Sequence, residues 1–182
     1  APLLGPIYAL AIQAAIGSMQ DIGRCVRIIV LLLAMLIGVA VLVTFSFSLV
    51  FPLPLTPEIA RMDANVIYIV MAILLGFATI VALSRGIPEG IAGVAIAAAL
   101  LPPAVVTGIA LVIYPSGALK AFILTLQNVV GLVAGSILAV TTLEIGPRDL
   151  FQRFRARKAL TRIVLILAVF IILLTGLSFV AG

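Results

Sequence analysis

Residues 86–114 read GIPEGIAGVAIAAALLPPAVVTGIALVIY, an apolar run long enough to cross a bilayer, with two consecutive prolines, Pro102 and Pro103, near its middle. Each proline lacks an N–H, so the carbonyls of Ala98 and Ala99 lose their i+4 donors, and the residue before each proline is pushed out of the α region. The pattern predicts a membrane helix that ends near Leu101 and resumes after the prolines. In hydrocarbon an unsatisfied backbone group costs several kcal/mol, so such a break survives only where protein buries it or where it lines a wet cavity. Broken helices at mid-depth form transporter binding sites. The competing reading is a proline kink repaired by neighbouring helices.

Composition places this run in a membrane. Of 182 residues, 65% are hydrophobic and 9% charged, and a mean hydropathy of +1.44 excludes a single soluble domain. There is no His and one cysteine, Cys25, so neither an internal disulfide nor a His/Cys metal site is available, and no cofactor is expected. The net charge of +5 does not indicate nucleic acid, because the cations flank apolar spans. No basic n-region or small-residue cleavage site opens the chain, and the start reads as a position inside a longer protein.

Outward from the proline pair, the other segments follow from the same arithmetic. Residues 1–18, with Pro2 and Pro6 bracketing Gly5, fall slightly short of the roughly 20 residues of a span and read as the second half of another broken helix. Residues 19–27, with Asp21, Arg24 and Arg27, suit an interfacial turn in which Cys25 is simply a small residue. Residues 28–50 form an uninterrupted span. Residues 51–63 form a proline-rich loop, with Thr56 placed to cap a helix that starts at Pro57 and carries Glu58. A second clean span covers 64–84, and Pro88 sits where a helix start tolerates it. After a turn at 115–117, a span over 118–143 carries Gln127 and Asn128 near its centre. Residues 147–162 resemble an interfacial amphipathic helix, and 162–181 form the last span. The fold expected is an all-α integral membrane protein of about six spans, the first partial.

Charge orients it. Alternating sides puts Arg24, Arg27, Arg85, Arg148, Arg153, Arg155, Arg157, Lys158 and Arg162 together, against Arg61 and Lys120. The richer side is cytoplasmic by the positive-inside rule, so 19–27, 85–88 and 144–162 face the cytoplasm of a cell (inner) membrane. The motif PLLGP at 2–6 resembles ALLPP at 99–103, and each is followed by an apolar half-helix and two spans. That order predicts one transmembrane domain, 1–182, built of two inverted repeats, 1–84 and 85–182.

The chemistry on offer is polar but uncharged. Carbonyls at 97–100 present partial negative charge and the amides of residues 104–106 partial positive charge, and the donorless prolines tilt the site towards cations or neutral polar solutes. The candidate solute-binding residues are Gly5, Pro6, Gln13, Ala98, Ala99, Pro102, Pro103, Thr107, Gln127 and Asn128. For Gln127 and Asn128 the plainer alternative is an ordinary interhelical hydrogen bond. No ionisable side chain lies inside a span, which counts against a proton-coupled carrier. A hydrolytic site lacks its parts, so no enzyme is expected. Arg153, Arg155, Arg157 and Lys158 are candidates for binding anionic lipid, and their plainer role is orientation. Gly131 and Gly135 form a GxxxG face, read either as a homo-oligomer interface or as packing inside the protomer.

The runs SRG at 84–86, GVAIAAALLPP at 93–103, QNVVG at 127–131 and the initial PLLGPI resemble a bacterial and archaeal membrane family. It is known as domain of unknown function 389, or the uncharacterised hydrophobic domain. The resemblance covers residues 1 to about 143 and implies Pro6, Gly93, Pro102, Pro103 and Asn128 as the shared positions. It also implies a further span and half-helix ahead of residue 1, often after a soluble domain. It implies no activity. The functional expectation is a transporter or channel for an ion or small polar solute, with its site where the two breaks meet. The alternative is a membrane scaffold that recruits partner proteins or anionic lipids through 147–162.

Overall fold

The computed structural model describes residues 3–54, 56, 65–145 and 150–181, with the backbone alone for 150–157 and 179–181. The described residues form helices α1 (Leu4–Ile16), α2 (Met19–Ser48), α3 (Val66–Ser84), α4 (Glu89–Ile113), α5 (Pro115–Thr142) and α6 (Leu150–Ala181), with no strand among them. Five, α2 to α6, are long and apolar enough to cross a membrane. Helix α1 has 13 residues, and at 1.5 Å per residue it rises about 20 Å, short of the roughly 30 Å hydrocarbon core. The chain is an all-α, multi-pass membrane protein whose first helix is too short to cross by itself.

The reversals are tighter than composition suggests. Helix α1 ends on Gly17, which takes the left-handed conformation (φ 84°) and donates its N–H to the Gln13 carbonyl. Ser18 follows, its hydroxyl donating to the Asp21 carboxylate at 2.6 Å. These two residues complete the turn, so 19–27, expected as an interfacial turn, are instead the first turns of α2. Asp21 suits that place because a carboxylate is favoured at a helix N-terminus. The 30 residues of α2 rise about 45 Å, which lets the Asp21, Arg24 and Arg27 end stand clear of hydrocarbon. Likewise 115–117 are no turn. Pro115 opens α5 at a position where its missing N–H costs nothing, and Tyr114 alone links α4 to α5.

The last helix also departs from expectation. From Leu150 on, the basic segment and the last span form one helix, α6, because no Pro or Gly interrupts 150–175. Lys158 lies on its exposed part. The side chains of Arg153, Arg155 and Arg157 lie outside the described residues, as do Pro57, Glu58, Arg61 and Arg148.

Helix α5 is the axis of the bundle. Within its span 78% of residues are buried, against 11–39% for the other four. It packs on α3 most extensively, then on α4, α1 and α6, while α2 lies against α4 and α1. The α3–α5 contact is backbone to backbone. A Cβ on Gly131 would fall 2.6 Å from the Ala72 Cβ and 2.9 Å from the Ile69 carbonyl oxygen, and one on Gly135 would run into the Ile73 carbonyl. The GxxxG face is therefore consumed within the protomer by α3, and its reading as an oligomer interface is corrected. Small residues serve here because the membrane supplies no hydrophobic drive between helices, so close dispersion contact does the work.

Candidate functional site

The two prolines do not break α4. The helix runs from Glu89 to Ile113 with Pro102 and Pro103 inside it, so the end expected near Leu101 is absent. The physical reason sits on α5. The Asn128 Nδ2 donates to the Ala99 carbonyl at 3.0 Å, and Ala99 is the residue whose i+4 donor Pro103 removes. A side-chain amide from the central helix thus replaces the missing backbone N–H. Of the two readings, the repaired kink is the one the fold adopts.

A second polar contact ties α4 to α5 beside it. The Thr107 hydroxyl donates to the Pro103 carbonyl at 2.8 Å, and its oxygen lies 3.1 Å from that of Thr125. The Thr125 hydroxyl in turn lies 2.9 Å from the Ala121 carbonyl. All three contacts are buried, yet two hydroxyls carry only two protons between them. Such back-bonding to the i−4 carbonyl suits Thr inside a helix.

Gln127 faces elsewhere, since consecutive residues are separated by about 100° around a helix. Its side chain is fully buried and turned to α6, where Nε2 approaches the Leu174 carbonyl at 3.5 Å, the outer limit of a hydrogen bond. Its Oε1 is buried with no hydrogen-bond partner. An orphan acceptor of this kind costs about 1–3 kcal/mol. It is the one such side-chain atom among the described residues.

The structure therefore sorts the candidates. It brings Ala99, Pro103, Thr107 and Asn128 together between α4 and α5, near the middle of both helices, with Gln127 one step around α5. Ala98 and Pro102 lie on the exposed side of α4, so the carbonyl that Pro102 frees is not the one Asn128 holds. Gly5 is exposed on α1, and Pro6 occupies its first turn, where a proline breaks nothing. Gln13 is half-buried on a helix whose enclosed face is Leu4, Ile7, Leu10, Ala11 and Ala14. Helices α1 and α4 touch only slightly, so the expected meeting of two breaks is not seen. Thr125 and the Leu174 carbonyl were not foreseen. Thr125 lies three residues before Asn128 on the same face of α5, a usable signal, whereas a backbone carbonyl carries none.

The family described as domain of unknown function 389 (DUF389) matches residues 1–134. The chain belongs to DUF389. No curated protein and no solved structure matches it. The DUF389 match includes every side chain of the α4–α5 seam and Gln127, and it stops before α6 and the Leu174 carbonyl. Among the described residues, no group of three His, Cys, Asp or Glu is placed to hold a metal ion.

Proposed function

We propose that this DUF389 chain moves an ion or a small polar solute across a cell membrane, along the polar seam that α5 makes with α4 and α6. The observation that carries the proposal is the Asn128 bond to the Ala99 carbonyl across two intrahelical prolines. A helix that needs only compactness has no use for Pro-Pro at mid-depth, because each proline forfeits a backbone bond where water cannot replace it. Held by a neutral side chain from another helix, the Ala99 carbonyl can exchange its partner for a passing solute when α4 and α5 move apart. The prolines make the same point of α4 its hinge.

Other features support the reading. Under the exchange of α1 with α4, α2 with α5 and α3 with α6, three packed pairs map onto three others: α1–α2 onto α4–α5, α1–α5 onto α4–α2, and α1–α6 onto α4–α3. That is what two inverted repeats, 1–84 and 85–182, produce, although the α3–α5 and α5–α6 contacts have no comparable counterparts in α2–α6 and α2–α3. In this reading the chain is not an enzyme, and 19–27, 85–88 and 144–162 face the cytoplasm. A homo-oligomer remains part of it, through a face other than Gly131 and Gly135.

The test is flux through purified protein in liposomes, compared with Pro102→Ala plus Pro103→Ala. The double variant restores both backbone bonds and is expected to slow transport while raising thermal stability. Unchanged flux removes the prolines from the mechanism, and no flux from the parent protein refutes transport and favours the scaffold.

A further inference from the structure

We infer that α4 is two bodies joined at its prolines: residues 104–113 stay fixed to α2 and α5, while residues 89–101 swing away from α5, with the Asn128 bond to the Ala99 carbonyl as their latch. The use of this swing as a gate rests on the transport reading. Four i→i−4 bonds cross the Leu101–Pro102 peptide of a regular helix, with donors at positions 102, 103, 104 and 105. Prolines hold the first two, so only the Ala104 and Val105 N–H groups remain to join the halves. The other end of the segment has a joint as well. Gly86 takes φ 83° in the turn after α3. The bonds of α3 end with Ile87 donating to the Ala82 carbonyl, and those of α4 begin with Ile91 donating to the Pro88 carbonyl.

Packing differs between the two halves. Beyond the prolines it is close to the backbone: a Cβ on Gly108 would lie 2.5 Å from the Ala40 Cβ and 2.8 Å from the Ile37 carbonyl oxygen of α2, and one on Gly117 of α5 would run into the Tyr114 ring that ends α4. The Thr107–Thr125 contact adds a polar tie to α5. Before the prolines, Ala92, Ile96 and Leu100 join the core. Parting them from it exposes them to acyl chains as apolar as the core, so the Asn128 bond is the contact that lipid cannot replace. On the far side Ile91, Val94 and Leu101 are exposed, and the swing displaces lipid there. At 1.5 Å per residue the segment is a lever of about 20 Å, and a proline kink of about 20° moves its Glu89 end by about 7 Å. The Ala99 carbonyl and the Asn128 amide are then uncovered from the Glu89 side alone, because the half beyond the prolines stays shut.

The test measures distances between spin labels on the full chain in lipid nanodiscs, in a Cys25→Ala background. One pair, Gly90→Cys with Thr142→Cys, joins α4 to α5 before the prolines, and a second, Leu111→Cys with Leu119→Cys, joins them beyond; all four positions are exposed. Asn128→Leu is expected to shift the first pair outward by about 7 Å and to leave the second unmoved. Pro102→Ala plus Pro103→Ala should hold the first pair at its short distance, with or without Asn128→Leu. Should Asn128→Leu not fold, Asn128→Ser withdraws the same donor with less bulk and carries the same expectation. A first pair that stays in place overturns the inference. So do both pairs moving together, which is a rigid tilt of α4, and a shift that survives loss of the prolines. Flux in liposomes, with rubidium, chloride and glycerol as probes, separates the hinge from transport. An outward shift without flux of any probe refutes transport, and the gate with it, while the hinge stands. Flux undiminished when a short bifunctional thiol reagent ties the first pair refutes the gate and leaves transport standing.

Discussion

Replacing Asn128 isolates what holds α4 together at its prolines. Asn128→Leu keeps the branched shape and the number of side-chain heavy atoms while removing the 3.0 Å bond to the Ala99 carbonyl. Two magnitudes compete. Side-chain hydrogen bonds between membrane helices average about 0.6 kcal/mol, because the separated helices find other partners. A buried acceptor left unmade costs about 1–3 kcal/mol. Here the second governs, because Pro103 deprives the Ala99 carbonyl of its helical donor even in an isolated α4. The expected loss is about 1.5–2 kcal/mol, read by unfolding in bicelles. The decisive comparison is a double-mutant cycle with Pro103→Ala, which restores the backbone N–H to that carbonyl. In that background Asn128→Leu should cost about 1 kcal/mol less, and effects on packing cancel. Equal costs in the two backgrounds, to within about 0.3 kcal/mol, would refute the reasoning that Asn128 stands in for the donor that Pro103 lacks.

Two further outcomes follow from the fold. Gly131→Leu with Gly135→Leu forces side chains into the Ile69 and Ile73 carbonyls, so the protomer itself should lose at least about 3 kcal/mol and give little monodisperse protein; a well-folded variant that has lost only its oligomer would restore these glycines to an interface between copies. Single cysteines introduced as Arg85→Cys and Ser116→Cys, in a Cys25→Ala background, should be labelled from opposite sides of the membrane, Arg85→Cys from the cytoplasm. Labelling of both from one side removes the full crossing by α4, and labelling in the opposite sense reverses the orientation.

The apolar runs by themselves determined the class, the five full-length spans and the shortness of the first helix. Hydropathy over some 20 residues is a one-dimensional property, and in lipid only a helix satisfies its own backbone. That Asn128 bonds to another helix was legible for a related reason, since an amide at the centre of a span must find a partner. Three matters waited for the tertiary structure. Whether Pro102 and Pro103 break α4 depends on what faces the Ala99 carbonyl, and that is a residue 29 positions away on another helix. The use of Gly131 and Gly135 was open because a small-residue face fits a second copy as well as a neighbour, and only the path of α3 across α5 decides between them. The separation of Gln127 from Asn128, adjacent in the chain and turned to different helices, comes from where α4 and α6 lie around α5, so a buried oxygen without a partner appears only when the bundle is assembled.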